Sequence, residues 1–364
     1  MIDRPLKLLF VIGTLSGGGA ERMLSVITNE FVKHGVDVHI CCLEQSENEN
    51  NCLLPEITYS FLDRKKKHKY SNILHRLYSL RRIIKKTNPD AVIPFMVHNA
   101  LQSALCTIGM KTIIIMRVAS IPENDLNSKI ARVWGKYLWR RIKGAFFQSE
   151  LQQEAFSSYL SCKTIVLPNP IADNDLWTLP KDYTNKTILT AGRLVLFKNH
   201  SLLVNAFAEL VIEFPDWQLE ICGEGKLRDA LTNEIEQLNL QDRIHIRGFV
   251  SDVFNRMYTD SIFAFTSDYE GMPNALIEAM CMGCACVVTD FHGGSLPTLI
   301  TDQQNGIIVP VNDKEALTLG LRRLMSSPEL RERLGQEATK LRTVINVNGI
   351  YRKWNEYIHS VLEN

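Results

Sequence analysis

The chain of 364 residues alternates short apolar runs with amphipathic helical patterns, and this alternation limits the folds open to it. The runs are apolar nearly throughout, which is typical of strands buried on both faces of a parallel sheet. Parallel strands need crossover helices, so the pattern predicts α/β domains of doubly wound, Rossmann-like type. The predicted strands are 6–12, 36–42, 91–95, 112–115, 145–148, 164–167, 186–190, 217–222, 243–246, 262–265, 285–289 and 306–309. The predicted helices are 21–34, 71–87, 128–142, 200–214, 227–238, 273–282 and 314–325, followed by a helical tail over 329–362.

A proline-rich break interrupts this alternation near the middle of the chain. Pro168-Asn169-Pro170 is followed by a polar stretch that contains Pro180, and prolines exclude regular structure there. We therefore predict two doubly wound domains, residues 1–172 and residues 173–347. Ligand sites are expected beyond the carboxyl ends of the strands, in a cleft between the domains.

Charge also differs between the two halves of the chain. Residues 1–182 carry 24 Lys and Arg against 17 Asp and Glu, a net charge of +7, and the remainder carries 17 against 23, a net charge of −6. The halves are expected to have different partners, although no block is basic enough to indicate nucleic acid. Nine scattered cysteines argue against a disulfide framework, and no apolar run has the length of a membrane span. We expect a cytoplasmic protein, since the N-terminus also lacks the pattern of a signal peptide.

Residues 266–283, which read T-S-D-Y-E-G-M-P-N-A-L-I-E-A-M-C-M-G, carry the strongest functional pattern. They follow a predicted strand and open a helix, and Pro273 suits the first helical position. Backbone N–H groups of residues 271–275 would form an anion site at the helix start. Glu270 and Glu278 flank that site, and carboxylates accept hydrogen bonds from sugar hydroxyls. The stretch therefore fits a nucleotide-sugar site, or else a capped helix with two solvated glutamates.

Other predicted strands of the second half end on glycines or cations. In a parallel sheet these strand ends lie at the same edge, beyond the carboxyl ends of the strands, and we call this edge the rim. Gly192 and Arg193 end one strand, and Lys198 opens the next helix. The two cations are placed either to stabilise the charge of a departing diphosphate or to remain solvated at the surface. Gly223 and Gly225 end another strand, in a segment small enough for a flat base to lie against the backbone.

The first predicted strand is followed by three glycines, Gly17, Gly18 and Gly19, at the entrance to a helix. Glycines let the backbone come close to a ligand and aim N–H groups at it. The spacing is not the G-x-G-x-x-G of dinucleotide sites, and Glu44, the acidic residue after the second strand, lies beyond the usual interval. We predict a loop that closes over a phosphate or sugar, with a dinucleotide site or a structural tight turn as alternatives.

Together these motifs resemble the family 4 retaining glycosyltransferases of GT-B architecture. The resemblance rests on G-R-L-x(3)-K at 192–198, G-x-G at 223–225 and E-G-x-P-N-x(3)-E-A at 270–279, and it spans nearly the whole chain. It implies two Rossmann-like domains that face each other, with a C-terminal helix, 348–364, packing back on the first. It also implies that the first domain takes the acceptor and the second the nucleotide-sugar donor.

The resemblance assigns roles to individual residues. Donor-binding roles are implied for Gly17, Gly18, Gly19, Gly192, Arg193, Lys198, Gly223, Gly225, Glu270, Gly271, Met272, Pro273, Asn274 and Glu278. Arg193 and Lys198 would hold the diphosphate, and Glu278 the ribose hydroxyls. Glu270 would face the transferred sugar, so that Glu270, Arg193, Lys198 and His98 form the implied catalytic set. His98 follows the strand 91–95, where many members keep a polar residue near the reacting carbon, and its neighbour Asn99 is the next candidate.

The implied reaction moves a hexose or hexosamine from a nucleotide-diphosphate sugar, expected to be UDP-linked, to a growing, lipid-linked surface glycan. Capsule, O-antigen and lipopolysaccharide are glycans of this type. Same-face attack would retain the anomeric configuration without a protein nucleophile, a metal or a cofactor. The alternatives are a nucleotide-sugar epimerase of the same fold, a sugar-nucleotide-binding protein without turnover, and a dehydrogenase. The residues that bind the acceptor are not identifiable from the sequence.

Two patterns with metal-like spacing are interpreted as structural. Asp173-Asn174-Asp175 fits the Asp-x-Asp motif of a different glycosyltransferase architecture, but no strand positions it, so a turn or helix cap is predicted. Cys281, Cys284 and Cys286 straddle a helix end and a buried strand. They are predicted to be small buried side chains rather than zinc ligands.

Residues 64–86 combine a basic run with an amphipathic helix. The run at 64–69 reads R-K-K-K-H-K, and apolar residues that include Leu80 and Ile84 share one face of the helix that follows. One interpretation is a core-facing helix with solvated charges. The other is a contact with the anionic inner face of a membrane, from which the first domain would take its acceptor.

Overall fold

A computed structural model describes residues 4–15, 18–45, 53–62, 69–119, 135, 137–250 and 252–363. Gly17, the basic run 64–68 and most of the predicted helix 128–142 lie outside these residues. The chain divides into two compact units, Met1–Ala172 together with Ile345–Asn364, and Asp173–Val344. The predicted division after residue 172 lies at the same place, and the last helix belongs to the first unit.

The first unit is built on a seven-stranded parallel sheet of order β3-β2-β1-β4-β5-β6-β7. Its strands are β1 (Lys7–Ile12), β2 (Asp37–Cys42), β3 (Thr58–Phe61), β4 (Ala91–Pro94), β5 (Ile113–Arg117), β6 (Ile142–Phe147) and β7 (Lys163–Val166). Its helices are α1 (Gly19–Lys33), α2 (Lys69–Thr87), α3 (Val97–Cys106), α4 (Glu150–Phe156) and, from the end of the chain, α12 (Val347–Leu362). The strand order reverses between β1 and β4, which is where a doubly wound sheet places its ligand site.

Aromatic packing joins α12 to the sheet of the first unit. Trp354 is fully buried and stacks on Phe146 of β6, with 3.9 Å between the ring centroids. The hydroxyl of Tyr357 donates to the backbone oxygen of Lys163 at 2.5 Å and accepts from the backbone N–H of Ala145 at 2.8 Å. These contacts explain why a segment so late in the sequence belongs to the first unit.

A buried polar network underlies the Pro168-Asn169-Pro170 segment. Arg117, at the end of β5, is fully buried and donates to the backbone oxygens of Phe147 at 3.0 Å and Leu167 at 3.2 Å. It also donates to Oδ1 of Asn169 at 2.8 Å, and that oxygen accepts from Gln148 at 3.1 Å. Burial lowers the pKa of Arg117 to about 9. The break in the alternation is therefore anchored in the interior of the first unit.

The second unit has a six-stranded parallel sheet of order β10-β9-β8-β11-β12-β13. Its strands are β8 (Thr187–Ala191), β9 (Gln218–Cys222), β10 (Ile244–Gly248), β11 (Ile262–Phe265), β12 (Ala285–Thr289) and β13 (Ile307–Val309). Its helices are α5 (His200–Ala208), α6 (Arg228–Gln237), α7 (Val253–Thr259), α8 (Asn274–Cys281), α9 (Lys314–Ser326), α10 (Pro328–Thr339) and α11 (Leu341–Val344). Here the order reverses between β8 and β11, so both units are doubly wound and the predicted α/β class is confirmed.

Several elements differ from the sequence-based prediction. Strand β3 and helices α3, α4 and α7 were not predicted, because they are short and tertiary packing rather than a strong local pattern decides them. The described end of the predicted helix 128–142 is a 3₁₀ turn, Trp139–Arg141, after which β6 begins. The predicted helix 200–214 ends at Ala208, because the chain turns there before β9.

The two metal-like patterns adopt the local structures that the sequence predicts, a capped turn and buried thiols. The side chain of Asn174 accepts from the backbone N–H of Leu176 at 2.9 Å and so caps a 3₁₀ turn, Asp175–Thr178. Cys281, Cys284 and Cys286 are buried free thiols. In the described ranges no group of three His, Cys, Asp or Glu side chains is placed to hold a metal ion. None of the described helices is both long and apolar enough to cross a membrane.

Candidate functional site

The carboxyl ends of β8 and β11 meet at the switch point of the second sheet. The loop after β8 carries Arg193 and Lys198, and the loop after β11 carries Glu270. Because both strands are parallel neighbours, residues that are 72 positions apart in the chain come together at one rim.

Lys198 and Glu270 form an ion pair at this point. The Lys198 ammonium lies 2.5 Å from Oε1 of Glu270, and the two side chains are only 14% and 13% exposed. The hydroxyl of Ser267 donates to the same carboxylate oxygen at 2.8 Å. Lys198 also lies over the ring of Phe265, with its nitrogen 4.9 Å from the centroid. A partly desolvated pair of this kind orients both side chains strongly, because little water screens the charges.

Backbone hydrogen bonds dock the Lys198 loop onto the Glu270 loop. The backbone N–H of Asp268 donates to the oxygen of Phe197 at 2.8 Å, and the hydroxyl of Thr266 donates to the oxygen of Lys198 at 3.0 Å. Lys198 was predicted to open a helix, but it closes a 3₁₀ turn, Leu196–Lys198, and α5 starts two residues later. The turn lets the lysine reach across to the neighbouring loop.

The loop after β12 holds the backbone of Glu270 from the other side. The N–H of Glu270 donates to the oxygen of His292 at 2.9 Å. Gly293 has φ +130°, and a Cβ there would lie 1.7 Å from the backbone oxygen of Glu270. Only glycine fits this position, because any side chain would displace the loop that carries the glutamate.

Glycines also allow the loops after β8 and β9 to pack closely. The N–H of Gly192 donates to the oxygen of Cys222 at 2.9 Å. A Cβ on Gly223 would lie 1.8 Å from the backbone oxygen of Gly192, and one on Gly225 would lie 2.3 Å from that of Leu194. The G-x-G segment therefore has a packing role in the structure, whatever it contacts in a ligand.

Arg193 and His200 occupy opposite ends of the same loop. Arg193 is exposed and forms no ion pair with the described residues, so its guanidinium is available to a ligand. His200 is buried, and its Nε2 donates to the backbone oxygen of Arg193 at 3.4 Å. Burial, and then the charge of Lys198, lower the pKa of His200 to about 4. The histidine is therefore neutral at pH 7 and supports the Arg193 backbone.

Helix α8 carries the second glutamate of the motif. It begins at Asn274, with Pro273 as the preceding cap residue, so the predicted start at Pro273 is one residue early. Met272 and Glu278 are buried, at 8% and 7% exposure, while Gly271 and Asn274 are partly exposed. The first N–H groups of a helix have no partners within it, so the start of α8 attracts an anion.

The switch point of the first sheet holds the predicted residues of the first unit. Gly18 is the cap residue before α1 and Gly19 is the first residue of that helix, and both are exposed. His98 is the second residue of α3 and is exposed, whereas Asn99 is 1% exposed and donates to the backbone oxygen of Phe95 at 2.6 Å. The side chain of His98 is therefore exposed to solvent, and Asn99 belongs to the interior.

The backbone just before His98 is strained. Met96 has φ 72° and ψ 148°, a region that residues with a Cβ rarely adopt. Such strain costs about 1–3 kcal/mol and concentrates at functional sites. The unusual turn explains why α3 was not apparent in the sequence, since no standard capping residue precedes it.

Family models match both units of the chain. The model described as "Glycosyl transferases group 1" matches residues 172–341, and that described as "Glycosyl transferase 4-like" matches residues 15–149. The chain belongs to the family 4 glycosyltransferases. The resemblance read from the motifs is thereby confirmed, and the activity class is that of a glycosyltransferase.

Relatives and solved structures agree with this assignment. This glycosyltransferase is 27% identical to an uncharacterised glycosyltransferase of Haemophilus influenzae, covering 95% of this chain and 97% of the relative. It is 26% identical to the N-acetylgalactosamine-N,N'-diacetylbacillosaminyl-diphospho-undecaprenol 4-alpha-N-acetylgalactosaminyltransferase of Campylobacter jejuni, covering 90% and 92%. The structure of Anabaena HepE in complex with UDP and glucose superposes with a TM-score of 0.83 at 16% identity, covering 98% and 100%. The fold of this glycosyltransferase is thus GT-B.

Part of the site in this glycosyltransferase was not predicted from the sequence. Four residues that the sequence analysis did not select support the Lys198–Glu270 pair or its loops, namely Ser267, His200, Asn199 and Asp268. The signal for them was present as polar residues next to each motif, in K-N-H at 198–200 and T-S-D at 266–268. The contacts of Asn199 and Asp268 could not be predicted, because they join different loops, and those of Ser267 and His200 depend on how a single irregular loop folds.

Proposed function

We propose that this glycosyltransferase moves a hexose or hexosamine from a UDP-sugar to a growing, lipid-linked surface glycan. The observation that carries the proposal is the Lys198–Glu270 pair at the switch point of the second sheet. It places a cation suited to a phosphate beside a carboxylate suited to sugar hydroxyls. HepE is described with UDP and with UDP-glucose, and the Campylobacter relative is named for a diphospho-undecaprenol acceptor, which supports both substrate classes.

In this proposal the second unit binds the donor. Arg193 and Lys198 hold the diphosphate, and the start of α8, residues 271–274, lies against the phosphate and the sugar. Glu278 accepts hydrogen bonds from the ribose, and Glu270 from the transferred sugar. Donor binding draws the Lys198 ammonium toward the diphosphate, which leaves Glu270 free to accept from the sugar hydroxyls.

The first unit takes the acceptor in this proposal, and His98 is its candidate residue for the reaction. Transfer proceeds with retention: the acceptor oxygen bonds to the anomeric carbon on the face that the phosphate leaves. The acceptor proton passes to the departing phosphate oxygen. Arg193 and Lys198 stabilise the charge that grows on the leaving diphosphate, so the proposed reaction needs no metal.

Calorimetric titration with UDP, GDP and ADP in EDTA tests the donor site. We expect UDP to bind the wild type, and Glu278→Ala to weaken this binding by about 1–3 kcal/mol through the loss of hydrogen bonds to a charged acceptor. Glu236→Ala removes an exposed glutamate of the same unit and serves as the control with unchanged affinity. Absence of nucleotide binding by the wild type would overturn the proposed function. If nucleotide binding required a metal ion, only the proposal that the reaction needs no metal would be overturned.

We also propose that the first unit rests on the anionic inner face of a membrane through α2, which implies a cytoplasmic location. The sequence of α2 contains no Asp or Glu. Leu74 and Tyr78 are 72% and 68% exposed on this helix, and Arg82, Lys85 and Lys86 are exposed as well. Apolar side chains flanked by cations match the chemistry of an anionic lipid surface.

Sedimentation with vesicles of phosphatidylcholine, with and without phosphatidylglycerol, tests the membrane contact. Each cation near such a surface contributes about 1 kcal/mol, so Arg82→Ala with Lys85→Ala should weaken binding to the anionic vesicles about 30-fold. Arg352→Ala with Lys353→Ala removes the same charge from exposed positions on α12 and should have little effect. Equal loss in both double variants would indicate a response to net charge and would contradict a contact through α2.

A further inference from the structure

One side-chain amide connects three loops at the rim of the second sheet. Nδ2 of Asn199 donates to Oδ1 of Asp268 at 3.2 Å and to Oδ1 of Asn312 at 2.7 Å. Asn199 follows β8, Asp268 follows β11, and Asn312 follows β13. We call these three residues the rim clasp. The hydrogen bonds of the clasp share no atoms with the Lys198–Glu270 pair.

The backbone of Asn199 is shaped for this contact. Asn199 has φ +50° and ψ 44°, and Asn312 has φ +59°, both in the left-handed region. Asparagine tolerates this region better than most residues with a side chain. At Asn199 the left-handed conformation joins the 3₁₀ turn that ends at Lys198 to the start of α5. The amide is therefore placed directly after the lysine of the site.

Asp268 connects the clasp to Glu270, which lies two residues later. The backbone N–H of Asp268 donates to Phe197 at 2.8 Å, and its backbone oxygen accepts from His292 at 3.1 Å. The oxygen of His292 in turn accepts from the N–H of Glu270 at 2.9 Å. Asp268, in the same loop as Glu270, thus binds the Lys198 loop through its side chain and N–H, and the loop after β12 through its backbone oxygen.

We propose that Asn199 and Asp268 are positioning residues of the donor site, which align Lys198 with Glu270 through the rim clasp. The inference rests on the proposed function, because it concerns how the diphosphate and the sugar of the donor are held relative to each other. Neither residue touches the donor in this account. Their effect is to hold two loops in register so that the phosphate and sugar contacts form together.

Three substitutions change the side chains of the clasp and are chosen to leave its backbone conformation unchanged. Asn199→Gly removes the amide but keeps a residue that adopts the left-handed conformation easily. Asp268→Ala removes the acceptor, whereas Asp268→Asn keeps an oxygen at the same place. Asn205→Ala is the matched control, since it removes an amide on α5 that donates to Ser201 at 2.9 Å and to Glu234, away from the rim.

The measurement is the affinity for UMP, UDP and the UDP-sugar that the wild type binds, each by calorimetry. Asn199→Gly and Asp268→Ala should weaken UDP and UDP-sugar binding about tenfold, the usual effect of losing one hydrogen bond to a charged group. UMP binding should stay within about threefold, because the ribose contact of Glu278 on α8 does not depend on the clasp. Asp268→Asn should restore most of the UDP affinity, and Asn205→Ala should match the wild type.

Two outcomes would overturn the inference. Wild-type affinity for both UMP and UDP in both clasp variants would mean that the clasp does not align the site. An equal loss for UMP and UDP, together with a lower Tm, would show a merely structural role. If UDP binds the wild type, either result leaves the proposed function standing, whereas absence of UDP binding by the wild type would count against the proposed function itself.

Discussion

Replacing Lys198 by alanine is expected to lower the rate of sugar transfer by about 10²–10³-fold, the usual loss when a positioned electrostatic group is removed. The lysine stabilises charge on the leaving diphosphate, and without it Glu270 keeps only the Ser267 hydroxyl among the side-chain contacts described for its carboxylate. An unpaired carboxylate beside a diphosphate repels it, so donor affinity should fall as well. The measurement is release of UDP from the UDP-sugar, with acceptor glycolipid present.

Lys314→Ala is the control for this substitution. Lys314 also pairs with a glutamate of the second unit, Glu209, at 2.5 Å, but both side chains of this pair are largely exposed, at 45% and 44%. An exposed pair contributes little to stability, so turnover and Tm should remain near the wild-type values. If Lys198→Ala kept turnover within about threefold of the wild type, the electrostatic role of Lys198 would have to be abandoned.

Gly293→Ala is expected to abolish most activity and to destabilise the second unit. The new Cβ would lie 1.7 Å from the backbone oxygen of Glu270, and φ +130° is strained for alanine even without a clash. Strain of this kind costs about 1–3 kcal/mol, and relief of the clash must move the Glu270 loop. A shift of about 1 Å in a positioning element is enough to cost about 10²-fold in rate. Thermal unfolding and UDP release measure the two effects separately.

Gly306→Ala, in the connection before β13, is the matched control for Gly293→Ala. A Cβ at Gly306 would meet the flexible end of Ile300 at 3.2 Å, and the backbone of Gly306 is not in the left-handed region. A small repacking of Ile300 should accommodate it with little loss of activity. Similar losses in the two variants would mean that the close approach of Gly293 to Glu270 has no special role.

Much of the architecture was predictable because buried parallel strands have a strong local signature. The twelve predicted strands all correspond to strands of the structure, and β3, which is short and lies at the sheet edge, was the one missed among the described residues. Helices α3 and α7 were missed for a related reason. Short helices depend on tertiary packing more than on their own residues.

The candidate site was predictable only in part. Glycines, cations and glutamates at strand ends identified the rim, because every strand of a parallel sheet ends at the same edge. The loop before His98 is an example: its position followed from β4, but the strained backbone of Met96, the residue before α3, has no local signal in the sequence. Whether His98 acts near the reacting carbon stays a prediction.

Local residue patterns determine whether a segment is a helix or a strand, since the hydrophobic period and the turn residues act over a few positions. They also determine the edge of the sheet at which the motifs lie. The pairing of Lys198 with Glu270 depends on strand order, which brings β8 beside β11 across 72 positions of sequence. The same holds for Asn199, Asp268 and Asn312, whose hydrogen bonds join three separate loops. Side-chain contacts between distant loops carry no local signature, because each partner alone looks like an ordinary polar surface residue.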